Sequence, residues 1–200
     1  VETCAICHLH RQVCAAGSYE IGRGGLWLLR HHPDPAPLAG WLLLDSVRHL
    51  GGPADFTAAE ASAWGPAVQW ASALVRELTG CERVYAIAFG EGAPHLHLHL
   101  IPRFGADPHT AAWSVADHYR AVERGERPPA DPVAVAALVT RGRQLLASTP
   151  YPMAAIPLTP EQANALPAKL PFFDFSAALA YGSADAAVPQ TTELGRDPGH

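Results

Sequence analysis

The segment His95-Leu96-His97-Leu98-His99-Leu100-Ile101 restricts the fold of this chain more than any other. Strict alternation is the period of a β-strand, so the imidazoles should fall on one face and the leucines on the other. A leucine row suits a core. The histidine row must then face a site or solvent. Thr, Ser or Lys would serve a merely solvated face. Imidazole is a nucleophile, an acid, a base and a metal ligand near neutral pH. Chemistry is therefore the favoured reading, with a metal-only cluster and a chance solvated face as alternatives.

A chain of 200 residues makes one ordinary domain with room for an appendage, and 48% hydrophobic against 16% charged residues suits a globular body. The net charge is −5 and no block of Lys or Arg occurs. That argues against a nucleic-acid or anionic-membrane surface, though not against a small anionic ligand. No apolar run reaches the roughly 18 residues of a membrane span, and no export signal is visible, so a cytoplasmic protein is expected. Cys4, Cys7, Cys14 and Cys81 are too few to frame a chain of this length. Cys4 and Cys7 form a C-x-x-C pair, which reads as metal or redox chemistry. Cys14 and Cys81 read as small apolar residues.

Residues 24–31 and 40–45 read as strands, the second buried on both faces. Pro33, Pro35 and Pro37 impose a loop between them. Thr57-Ala58-Ala59-Glu60 is a capping box opening a helix to about Thr79, ended by Gly80, with Gly65-Pro66 expected to kink or break it. Residues 83–89 and 95–101 read as further strands, joined by a loop at 90–94 able to wrap a ligand. Helices are expected at 113–123 and 132–147, with another start at Thr159. Trp64, Trp70 and Trp113 read as core. The expectation is an α+β fold, an antiparallel sheet with one long helix, followed by a helical extension. The division is placed at 1–125 and 126–200, with about the last fifteen residues mobile.

At His95 to Ile101 the chain resembles the histidine-triad family, whose signature alternates His with hydrophobic residues and ends on two hydrophobic positions; Pro102-Arg103 continues as in many members. The likeness covers roughly residues 4–104 and implies a sheet dimerised edge to edge. It further implies a nucleotide hydrolase or nucleotidyltransferase acting at an α-phosphate. By this match His97 attacks phosphorus to form a nucleotidyl-histidine, and His99 contacts phosphate oxygens and assists the leaving group. Trp41, Glu91, Gly92 and Arg103 are the candidate substrate-binding residues. His31 and His32 could face the ligand or be solvated.

The resemblance extends to the zinc-bearing branch of that family and implies a structural zinc on Cys4, Cys7, His49 and His95. His8 and His10 offer alternative ligands nearby, and Cys4 to His8 also matches the attachment motif of c-type haem. The chain departs from the family at three places. Gly92 stands where many members carry a hydroxyl, Val84 where an Asn or Gln is frequent, and Trp41 where several branches have a histidine. Those departures motivate a second reading, a non-catalytic nucleotide-binding or interaction protein on the same scaffold.

Overall fold

A computed structural model describes residues 4–11, 19–90 and 92–148. Cys14, Glu91, the helix start at Thr159 and the expected mobile tail lie outside the described residues.

Five strands form one antiparallel sheet: β1 (Glu20–Arg23), β2 (Trp27–His31), β3 (Leu42–Ser46), β4 (Arg83–Ala88) and β5 (His97–Arg103). Their spatial order is β1-β2-β3-β5-β4. The helices are α1 (Ala5–Arg11), α2 (Ala58–Thr79), α3 (Val115–Glu123) and α4 (Pro132–Ser148). The α+β expectation holds. No described helix is long and apolar enough to cross a membrane.

Every residue of β3 is buried, as its apolar run required, and every residue of β2 is buried as well. The leucine row behaves as expected: Leu96, Leu98 and Leu100 join Leu42, Leu44 and Leu29 in the main core. Ala67, Ala71, Leu74 and Val75 of α2 close over them, and Val135 and Val139 of α4 complete the cluster. Burying one such leucine contributes roughly 1.5–3 kcal/mol. The opposite face carries a smaller cluster of Trp41, Ile101 and Val115, with Tyr119 packed against it. Thus α3 covers the histidine face while α2 and α4 cover the leucine face.

The long helix is not broken at Pro66 but continues through it. Pro66 is exposed, so water can reach the carbonyl that loses its partner. Packing of the next turns then holds the helix together. Trp113 is 94% exposed, not core. It precedes α3, and the apolar side of that helix is supplied by Val115, Ala121 and Val122. The strand β1 has no signal in the sequence. Its four residues, Glu-Ile-Gly-Arg, carry a single large apolar side chain.

The capping box is present: the Thr57 N–H donates to Glu60 Oε2 at 2.7 Å, and the Glu60 N–H donates to Thr57 Oγ1 at 3.3 Å. Arg48 also grips Glu60, through Nε at 3.0 Å and Nη2 at 2.7 Å. That pairing and the Thr57 bonds hold the Glu60 carboxyl down at about 2, against burial. A depressed carboxylate stabilises the fold fully above its ordinary value of 4.5, and the contribution fades as pH falls toward 2. Glu60→Ala is expected to cost about 2–3 kcal/mol at pH 7, read by urea denaturation, and much less at pH 2.5. An equal loss at both pH values would contradict this account.

Candidate functional site

Two groups of histidines meet at the start of β5. Cys4, Cys7, His49 and His95 bring four ligand atoms within 4.8 Å of one another. They come from separated elements: Cys4 and Cys7 at α1, His49 just past β3, and His95 just before β5. Cys4 Sγ lies 3.6 Å from His95 Nδ1, and Cys7 Sγ lies 3.4 Å from both His49 Nδ1 and His95 Nδ1. The two Nδ1 atoms are 3.3 Å apart. Bonds of about 2.3 Å to sulfur and 2.0–2.1 Å to nitrogen give tetrahedral edges of roughly 3.5 Å and 3.3 Å, so the four donors fit one small tetrahedral ion.

The surroundings support that fit. His95 Nε2 donates to the Ser46 carbonyl at 2.7 Å, which leaves Nδ1 bare toward the thiols. Burial raises the Cys4 thiol, but amide and thiol hydrogens of Cys7 and the amide of Ile6 outweigh it and hold the group below its ordinary value. Of the alternative ligands, His10 is engaged elsewhere: its Nε2 meets Asp45 Oδ2 at 2.9 Å. His8 stands outside the cluster.

His95 precedes β5 instead of lying within it, so the row divides: His95 meets the cysteines, while His97 and His99 line a cavity of about 370 Å³. Trp41, Phe89, Gly92 and Ala93 form part of its wall, and α3 closes it with Val115, Ala116, Tyr119, Arg120 and Glu123. His97 Nδ1 donates to the His95 carbonyl at 2.6 Å. In the neutral ring Nε2 then carries the lone pair. His99 Nδ1 receives the Trp41 indole N–H at 3.0 Å. Burial first, then repulsion from His97 and His32 when those rings are protonated and from Arg30, bring His99 down to about 3, so its ring is neutral at pH 7. Burial likewise brings His32 down to about 4.

Of the expected substrate residues, Trp41 and Gly92 line this cavity and Arg103 does not. Arg103 ends β5, roughly 20 Å along the strand from His97. Its Nη1 donates to the Asp107 carbonyl and to Thr110 Oγ1, both at 3.1 Å. His31 is structural: Nδ1 donates to the His32 carbonyl and Nε2 accepts the Gly40 N–H, closing the proline loop. His32 packs edge-on against Trp41 and Tyr119, at ring separations of 5.8 and 5.5 Å.

Sequence reasoning missed the ion pair beneath the histidines. Arg30 Nε donates to Asp45 Oδ2 at 2.6 Å, with Asp45 fully buried and Arg30 nearly so. Asp45 stands directly opposite His97 across the β3–β5 pair. Burial alone would raise the Asp45 carboxyl, but Arg30 and His10 hold it below its ordinary value. The only signal was a lone Arg and a lone Asp inside apolar strand runs.

No protein-family model matches the chain, and no curated protein does. Solved structures do. A hypothetical histidine triad nucleotide-binding protein from Sulfolobus tokodaii superposes with a TM-score of 0.53 at 14% identity, over 72% of this chain and 93% of that one. A Hit-like protein involved in cell-cycle regulation from Bartonella henselae gives 0.53 at 13%, over 72% and 97%. A zinc-bound histidine triad family protein from Mycobacterium smegmatis gives 0.52 at 16%, over 74% and 99%. The class is thus an α+β protein built on one antiparallel sheet. Its fold is the histidine-triad fold, and the alternating triad stands at the head of β5.

Proposed function

We propose that the protein is a nucleotide hydrolase or nucleotidyltransferase in which His97 attacks an α-phosphate. The observation that carries this is the His97 Nδ1–H held by the His95 carbonyl at 2.6 Å, which presents a bare Nε2 at a cavity. A neutral imidazole so held is a competent nucleophile. The Nε2–phosphorus bond forms as the bond to the leaving group breaks, and the leaving group departs with that electron pair. Water, or another acceptor, then displaces His97, and the proton it releases neutralises the leaving group. His99 stands where a donor can meet charge developing on phosphoryl oxygen.

The metal is read as zinc in a structural role on Cys4, Cys7, His49 and His95. The four-donor set, closed by protein ligands, leaves no open position for substrate. Trp41 and Gly92 are read as substrate contacts. Glu91 stays a candidate contact on its sequence position alone. A homodimer is favoured by β4, an edge strand whose residues are all at least partly exposed.

The test is release of nucleoside monophosphate from a panel of adenylylated and uridylylated compounds. Turnover lost in His97→Ala supports the enzyme. Tight nucleotide binding without turnover would favour the binding-protein reading, which the missing hydroxyl at Gly92 motivates.

A further inference from the structure

We propose that Trp41 is a positioning residue that fixes the tautomer of His99, so that His99 Nε2–H serves as a donor into the cavity. Its catalytic consequence rests on the function proposed above; the tautomer itself does not.

An indole has one polar hydrogen and no acceptor. The 3.0 Å contact from Trp41 Nε1 therefore requires His99 Nδ1 to be the acceptor. A neutral imidazole carries one N–H, which must then sit on Nε2. Among the described residues Nε2 has no protein partner, and His99 lines the cavity. Neither ring is placed to exchange partners. Trp41 is 1% exposed and is flanked by His32 and Tyr119, with Tyr119 5.7 Å away. His99 is held edge-on by Trp41 at 5.7 Å and by Phe89 at 5.0 Å.

His97 is set the opposite way, because its Nδ1 must donate to a carbonyl. The two rings are 5.2 Å apart on one cavity wall. A phosphoryl group between them meets one lone pair and one N–H. The lone pair attacks phosphorus, while the N–H meets an oxygen. Were His99 to adopt the His97 tautomer, its lone pair would face the phosphoryl oxygens and repel them. A tryptophan where several branches of the family have a histidine thus acts as a donor that cannot become an acceptor.

The test is long-range proton–nitrogen correlation NMR on the full chain with ¹⁵N-labelled histidine. His97→Ala and His99→Ala spectra assign the two rings. The expected wild-type result is a bare Nδ1 and protonated Nε2 for His99, with the reverse for His97. A protonated Nδ1 on wild-type His99 overturns the proposal, whatever any variant does. In Trp41→Phe, which keeps a ring but loses the donor, His99 should become a mixture of tautomers while His97 is unchanged. Product release should then fall about 10- to 100-fold in kcat with little change in KM, less than the loss of a donor outright. Trp41→His, which can donate, should recover part of it. An unchanged His99 tautomer in Trp41→Phe would also overturn the proposal. Wild-type tautomers as expected without any turnover would leave this assignment standing and remove the enzymatic reading.

Discussion

Replacing His97 with alanine is expected to lower release of nucleoside monophosphate by about 10⁴-fold or more, the scale of deleting a nucleophile. The expectation rests on position as well as chemistry. The His97 side chain is half-buried, on the cavity wall, with its inner nitrogen fixed by the His95 carbonyl just before its strand. Of the two described imidazoles that line the cavity, His97 alone has its inner N–H fixed by a carbonyl. His31 has both nitrogens bonded, His95 is turned to the cysteines, and His99 has the opposite tautomer. The loss should appear in kcat, since the alanine variant keeps Trp41, Phe89 and the α3 wall and should still bind nucleotide. A variant retaining a few per cent of wild-type turnover would exclude His97 as the nucleophile.

Loss of the proposed metal is expected to destabilise the fold. The ion would tie α1 to the loop after β3 and to the residue before β5. Without it, α1 still meets the sheet region through contacts of His10. These include the His10–Asp45 contact at 2.9 Å and an Arg23 Nη2 donation to the His10 carbonyl at 2.9 Å. At free metal a thousandfold above its dissociation constant, binding to the native state alone contributes about 4 kcal/mol. For a chain of this size that corresponds to a fall in Tm of roughly 8–16 °C on chelation. Cys7→Ser should give a similar fall and a metal content near zero. A protein purified with no bound metal and an unchanged Tm in chelator would contradict the assignment. Activity is a separate readout, because His97 leans on the His95 carbonyl and displacement of His95 would disturb it.

The parts of this fold that were legible in the sequence are those set by local rules. Alternation placed the leucines in the core, and a capping box and a terminal glycine bounded α2 to within a residue. The C-x-x-C pair was legible as metal or redox chemistry, but the full set of four proposed ligands only through resemblance. Spacing in the chain does not say that residues 4, 7, 49 and 95 converge. What remained hidden depended on register and packing. The Arg30–Asp45 pair needs the β2–β3 register, where Asp45 faces Leu28 and Arg30 faces Leu43, leaving the two charges diagonal on one face. Trp41 read as core or as a base-stacking residue, because an indole N–H has no sequence signature until His99 is beside it. The contribution of α3 to the cavity was equally invisible. Arg103 follows the motif in sequence but sits at the far end of the strand from His97.

The most direct measurement of the central claim is the intact mass of the protein, quenched without acid during reaction with adenylylated and uridylylated compounds, beside a His97→Ala control. A nucleoside-monophosphate adduct is expected on the wild-type chain alone, its mass naming the base. Product released by both proteins with no adduct on either would contradict attack by His97.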